Sequence, residues 1–301
     1  MAATSYEERL AQEAALWGQD AQDKARQFPP DWAYHRRLRD NAIMAAAHID
    51  ALLAQVQPGM AALELGCGSG WLALALARRG AQVTGVDISA AAIDIARAYY
   101  ETVRDTVAGS VSYRVADLNT IVLPPEAHDL VVVKSTLHHL VALDHVIEQI
   151  HGTLKPGGLL WVMDASGEEA PLTVLIASGL MFVLPTAVSY REKLRGLLRF
   201  GFGAPSRIKA SMEAEGLSPF EGAGREHDWL QRVYERFMVE RRVDLPAFTG
   251  YITAQLRLPD RLALPLLRAM YRVDSFLVRR GALRNSGVVL YARKAARSGG
   301  G

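Results

Sequence analysis

Apolar positions along the chain change their spacing in a regular way. From residue 58 to residue 164, apolar runs that read as strands lie near 61–65, 81–86, 111–116, 129–134 and 158–164. Between them, near 70–79, 89–104 and 143–154, apolar residues recur at helical spacing. In the last of these Leu143, Val146, Ile147, Ile150 and Leu154 share one face, and Pro156-Gly-Gly ends it. Strands alternating with helices predict a parallel sheet with right-handed crossovers, an α/β core over 58–164. Ahead of it, Tyr6, Leu10, Ala14 and Trp17 share one helical face, and Ile43, Ala47, Leu52 and Val56 share another. Phe28-Pro-Pro-Asp separates them, so residues 1–57 are predicted to form a helical extension.

The alternation stops after Asp164. Residues 165–248 carry Gly179, Pro185, Gly201, Gly203, Pro205, Gly216, Pro219 and Gly222 among helical stretches, which predicts an inserted helical lid. The run Thr249–Leu258 then alternates like a strand, residues 260–280 read as a helix, and Gly287–Arg293 reads as a closing edge strand. Residues 249–294 thus return to the core sheet, and 295–301 are expected to be a disordered tail.

The first strand carries the most informative chemistry. Ala61 to Gly70 reads Ala-Ala-Leu-Glu-Leu-Gly-Cys-Gly-Ser-Gly, and Asp87 closes the second strand. A strand running into glycines and then a helix brings bare backbone N–H groups to the carboxyl edge of the sheet, where a nucleoside-type ligand can approach. A dinucleotide site needs G-x-G-x-x-G for its pyrophosphate. Here Glu64 precedes Gly66, Gly68 and Gly70; its carboxylate repels a pyrophosphate but accepts hydrogen bonds from an ammonium group, and Asp87 suits ribose hydroxyls. Those features point to S-adenosylmethionine. Leu63-Glu-Leu-Gly-Cys-Gly-Ser-Gly, Val86-Asp-Ile-Ser, Val115-Ala-Asp-Leu and Leu154-Lys-Pro-Gly-Gly-Leu-Leu-Trp-Val follow one another at the spacing of successive β-α units. In these four stretches the chain resembles the class I S-adenosylmethionine-dependent methyltransferases.

The resemblance implies a Rossmann-like, doubly wound, mostly parallel seven-stranded sheet whose last strand is antiparallel. It also implies that Asp117 accepts a hydrogen bond from the adenine amino group, that Ile88 and Leu118 sandwich the adenine, and that the substrate meets the sulfonium after the fourth strand. Lys134-Ser-Thr-Leu-His-His-Leu leaves that strand. His138 or His139 is the expected general base for a hydroxyl acceptor; the two rings should diverge on a regular backbone, so one of them at most is catalytic. Lys134 is grouped with the cofactor residues, either pairing with Asp117 or holding an anionic group, and His227 in the insertion is a reserve base. Cys67 reads as a small buried filler rather than a nucleophile, and Trp71 either shapes the methionine end or packs in the core.

Composition narrows the partners. Half of the 301 residues are apolar, the lone cysteine excludes an internal disulfide, and the N-terminus lacks a secretory pattern, so a cytoplasmic protein without metal is expected. The net charge of +2 hides an asymmetry: residues 1–164 carry −6 and residues 165–301 carry +8. No aromatic residues interleave with the basic ones, which argues against nucleic acid. Residues 171–188 are the most apolar stretch, approaching the ~18 to 20 residues that span a bilayer, and Arg191, Lys193, Arg195 and Arg199 follow, so peripheral membrane contact competes with a lid helix. The expected function is methyl transfer to a small molecule, most simply to a hydroxyl oxygen. The alternatives are an interfacial lipid or quinone methyltransferase, or a methyltransferase fold that binds the cofactor as a cyclase or binding module.

Overall fold

A computed structural model describes residues 5–166, 170–200 and 229–296. The N-terminal helix α1 (Tyr6–Ala25) starts at a capping box, in which Ser5 Oγ accepts from Glu8 N–H and Glu8 reaches back to Ser5 N–H. A short α2 (Trp32–His35), a π-helical turn (Asn41–Ala45) and α3 (Ala46–Leu53) lead to the sheet. Then follow β1 (Ala61–Leu65), α4 (Trp71–Arg78), β2 (Gln82–Asp87), α5 (Ala90–Val103), β3 (Ser110–Val115), β4 (His128–Lys134), α6 (Leu143–Thr153) and β5 (Leu154–Ala165). The five predicted strands and three predicted helices are all present within a few residues of their expected bounds.

The seven strands are ordered β3-β2-β1-β4-β5-β7-β6, with β7 (Gly287–Arg293) antiparallel to both neighbours and the other pairs parallel. Strand order reverses between β1 and β4, which opens a crevice at their carboxyl ends. Alternate residues feed two core layers. Val131, Val133, Leu160 and Val162 face α6, while Leu130, Val132, Trp161 and Val289 face α3 and α4.

The C-terminal half departs from the pattern reading. The sixth strand is β6 (Met238–Asp244), inside the stretch expected to be the insertion, and the helix before it, α9 (Trp229–Arg236), buries Trp229 and Val233 in the core. Thr249–Gln255 is a helix, α10, not a strand. Its buried Thr249, Ile252 and Leu256 recur at helical spacing, and its N-terminus is fixed by Asp274 of α11 (Asp260–Arg279). The Asp274 carboxylate accepts from the N–H groups of Ala247, Phe248 and Thr249 and from Thr249 Oγ1, each at 2.8 Å. β7 is not an edge strand, because β6 pairs along its far side.

In the insertion, α7 (Pro171–Val183) packs Ala177 and Met181 against α10 and α11, and α8 (Tyr190–Phe200) follows. Lys193 does not join a basic surface: it is buried, and its ammonium donates to the Met181 and Leu184 carbonyls at the end of α7. No helix among the described residues is long and apolar enough to cross a membrane. Residues 201–228, with His227, and the tail 297–301 lie outside the described residues.

Candidate active site

The glycine loop leaves β1 with Gly66, Gly68 and Gly70 at φ of 75°, 51° and 77°, left-handed values that glycine adopts without strain. A Cβ on Gly66 would run into the Thr136 side chain, and one on Gly70 into the Tyr113 hydroxyl. Asp87 ties the loop to the next helix: one oxygen accepts from Gly68 N–H and the other from Ser89 N–H, both at 2.8 Å. Burial pushes its carboxyl up while these donors oppose the shift. The carboxylate still lines the cavity, and its remaining lone pairs can accept hydroxyl donors. Cys67 is buried under the loop, where desolvation and the Glu64 charge push its thiol up, as a filler requires.

Glu64 sits behind the loop, not among the cavity-lining residues. Its Oε2 is buried with no hydrogen-bond partner among the described residues, and burial pushes its carboxyl up to about 8. The native protein therefore retains a proton that the unfolded chain has lost above the ordinary value of 4.5, so stability falls as pH rises from there towards 8. Glu64→Gln removes that dependence. In thermal melts the variant is expected to match the parent near pH 4.5 and to gain a growing Tm advantage by pH 8; a pH-independent difference would contradict the assignment.

The crevice encloses a cavity of about 390 Å³, within the range of small-molecule sites. Gly66, Gly68, Asp87, Ile88, Asp117 and Leu118 line one half, as expected of a nucleoside pocket. Asp117 is already engaged: it accepts from Tyr6 Oη at 2.7 Å and from Asn119 N–H at 2.9 Å. Burial and this contact push the Tyr6 phenol up to about 12. Lys134 lines the cavity but does not pair with Asp117. Its Nζ lies 3.5 Å from Ser135 Oγ and 5.8 Å from the Trp71 ring centroid. Burial pushes its ammonium down, against the charges of Asp40 and Asp164. Trp71 stacks between Trp32 and His35, at 5.2 and 5.0 Å, as one cavity wall. Burial, then the charges of Lys24 and Lys134, push His35 down to about 4, so this wall is neutral near pH 7.

β4 ends abruptly at Ser135, whose φ of 52° is rare for a residue with a side chain. The turn that follows is built on Asp164, a fully buried carboxylate at the end of β5. One oxygen accepts from Thr136 and Leu137 N–H at 2.8 and 2.7 Å; the other accepts from Ala165 N–H at 2.7 Å and meets His138 Nδ1 at 2.5 Å. Burial opposes ionisation of Asp164, but the His138 ring and the backbone donors outweigh it and hold the carboxyl below its usual range.

The two imidazoles do not diverge. Their centroids lie 3.9 Å apart, because Leu137–His139 is a 3₁₀ turn pinned at His138, which turns His139 into the cavity wall. There His139 Nδ1 lies 3.6 Å from Glu13 Oε1, and Trp17, edge-on to the His139 ring, donates from Nε1 to that Glu13 oxygen at 2.6 Å. The cavity is roofed by α1, through Leu10, Glu13, Trp17, Asp20, Ala21 and Lys24; among the described residues no lining residue comes from the expected lid. α1 lies over the crevice, whereas the apolar face of α7 is used against α10 and α11.

Sequence reasoning missed Glu13 and Asp164. Glu13 left a trace, as a carboxylate between Leu10 and Trp17 on one face of α1. Asp164 left another, since it closes a strand as Asp87 does.

Residues 63–162 match a family model described as a methyltransferase domain. Over 179 residues the chain is 31% identical to a ubiquinone biosynthesis O-methyltransferase of Bordetella bronchiseptica, covering 58% of this chain and 69% of that one. A mitochondrial protein of that name from Rattus norvegicus is 29% identical over 194 residues, 62% of this chain and 52% of the relative. The chain thus spans about half the length of such relatives as the rat protein. In three dimensions it is similar to geranyl diphosphate C-methyltransferase from Streptomyces coelicolor A3(2), with a TM-score of 0.52, 19% identity, and 83% and 80% of the two chains covered. That likeness is one of fold. Taken with the ordered motifs on the sheet's carboxyl edge, these matches establish that the chain belongs to the class I S-adenosylmethionine-dependent methyltransferases.

Proposed function

We propose that the protein methylates a hydroxyl oxygen of a small aromatic acceptor, with S-adenosylmethionine as donor and His139 as the base. The observation that carries this reading is a single cavity under α1 that both the glycine loop and the imidazole of His139 line. The residues fit the cofactor. Gly66, Gly68 and Gly70 keep the loop open to a close approach, Asp87 suits ribose hydroxyls, Asp117, Ile88 and Leu118 suit the adenine, and Glu64 behind the loop has a buried oxygen left without a partner among the described residues. Lys134 borders the acceptor side, beside Trp71. When bound, the cofactor supplies an electrophilic methyl carbon. The chain's own task is to hold the acceptor against Trp71 and Trp17, keep water out, and take the hydroxyl proton on His139 Nε2.

The aromatic wall and the name borne by the sequence relatives support a phenol or quinol as acceptor. Incubation with S-adenosylmethionine and a panel of catechols, hydroquinones, amines and thiols tests it. S-adenosylhomocysteine should accumulate with an acceptor one CH₂ heavier, among the hydroxylated aromatics. Turnover confined to amines or thiols would overturn the oxygen assignment, and cofactor binding with no turnover would favour a cyclase or binding module.

A second reading, an interfacial methyltransferase, is favoured by α8. Tyr190, Leu194 and Leu198 form an exposed apolar stripe, with Leu198 83% exposed, and Arg191 and Arg195 lie beside it. Flotation with anionic vesicles, lost in Leu194→Glu and Leu198→Glu, would support it.

A further inference from the structure

The base His139 was assigned above from its place in the cavity wall; what holds that ring is a separate matter. Two carboxylates approach the imidazole pair. Asp164, on the core side, is occupied by His138, by the N–H groups of Thr136 and Leu137 in the turn, and by that of Ala165 in β5. The carboxylate that meets His139 is Glu13, which arrives from α1, outside residues 63–162 that match the methyltransferase domain.

Glu13 is 5% exposed, on a helix whose other glutamates, Glu7 and Glu8, face solvent. Burying a carboxylate on the apolar side of a surface helix is unfavourable unless a partner waits there. Both partners are in the active site: Trp17 Nε1 fixes Glu13 Oε1, and that same oxygen faces His139 Nδ1. A separate feature sets the placement of α1. At Gly18 a Cβ would come within 2.9 Å of Ser89 Oγ and 3.1 Å of Ala91 Cβ, so α1 crosses the start of α5 at a distance only glycine permits. That crossing lies one turn beyond Glu13, and it fixes the carboxylate over the ring. At the other end Tyr6 Oη anchors α1 to Asp117.

Resting on His139 as the base, we infer that Glu13 is a positioning residue. Carried to the site by the N-terminal helix, its carboxylate holds the ring with Nδ1 turned away from the acceptor and Nε2 towards it, and neutralises the imidazolium formed on proton transfer. The proton balance is simple: the hydroxyl proton passes to Nε2, the ring becomes a cation with its Nδ1–H facing Glu13, and the proton later leaves to solvent. Among the described residues the charged groups on the cavity's walls are Glu13, Asp20 and Lys24 from α1, Asp40, Asp87, Asp117 and Lys134, with the His138–Asp164 pair behind the His139 ring.

Glu13→Gln in the full chain tests this, because glutamine keeps the shape and the acceptor for Trp17 but not the charge. With a hydroxylated acceptor, kcat at pH 7 should fall about tenfold or more, while the Kd for S-adenosylmethionine and the KM for acceptor change less than about twofold. The acid limb of the kcat profile should move to lower pH, since an imidazolium without its counter-ion gives up its proton more readily. NMR titration of the His139 ring in the ligand-free variant should move the same way, and Glu13→Asp should restore part of both effects. Wild-type kcat and an unchanged ring titration in a folded Glu13→Gln protein would overturn the inference. A loss of kcat with no movement of the pH limb or ring titration would also overturn it, marking Glu13 as merely structural. If His139→Asn is itself harmless, it is the base assignment that fails.

Discussion

His139→Asn is expected to slow turnover by ~10²- to 10⁴-fold at saturating substrates, the usual contribution of a general base, while leaving the affinity for S-adenosylmethionine nearly unchanged. Asparagine keeps the polarity of the cavity wall but cannot take a proton at neutral pH. The neighbouring substitution separates two roles that the sequence His-His leaves merged. His138→Asn removes a partner from buried Asp164 and is expected to lower stability by roughly 1–3 kcal/mol, with the smaller effect on kcat. Steady-state kinetics with chemical denaturation of both variants checks the division; the reverse pattern, with His138 critical for kcat and His139 dispensable, would move the base to His138. Wild-type turnover should fall on the acid side, where the ring is protonated before it can act.

The largest stability effect is expected far from the chemistry. Asp274→Ala strands three backbone N–H groups and the Thr249 hydroxyl in a fully buried site, at a cost of about 3–5 kcal/mol. Asp274→Asn keeps the shape but turns one arm of the side chain into a donor where acceptors are needed, so it should recover only part of the loss. Urea unfolding of each variant measures this. Because α10 and α11 pack with α7 in a helical layer apart from the glycine loop, cofactor affinity should survive in whatever fraction remains folded. A cost under 1 kcal/mol would mean that the N-terminus of α10 is held by something other than this carboxylate.

Asp274 also shows where the sequence stops being legible. Thr249–Leu258 alternates well enough to pass for a strand, and the residue that makes it a helix lies 25 positions downstream of Thr249. Local pattern cannot register such a partner. β1, β2, β4 and β5 were legible for the opposite reason: they are largely buried on both faces, so their apolar runs have no competing period, and the turns that follow are marked by glycine or a capping residue; β3, mostly exposed, was legible from its place in the β-α alternation. In the site, Gly66, Gly68, Gly70, Asp87 and Asp117 could be read because they lie at or just beyond the carboxyl ends of strands. β6, Met-Val-Glu-Arg-Arg-Val-Asp, was hidden by its own exposure, since an edge strand with charges on it carries no apolar run. The part played by α1 in roofing the cavity was not read, because glycine and proline content marks a segment as irregular without saying what it covers. The inward face of α1, where Glu13 is buried between Leu10 and Trp17, was the better guide.

The position of β7 between β5 and β6 has a consequence for how the chain is made. β5 takes β4 as one neighbour as soon as it is synthesised, but its other edge, from Leu159 to Ala165, waits for β7, about 120 residues later. At roughly 5–20 residues per second of synthesis, that edge stays open for several seconds to about twenty-five seconds. It presents Leu160, Trp161, Val162 and Met163 with unpaired backbone groups, the kind of surface on which nascent chains associate. The strand that completes the middle of the sheet thus leaves the ribosome long after the strand it protects, and the yield of soluble protein should depend on what shields β5 until it arrives.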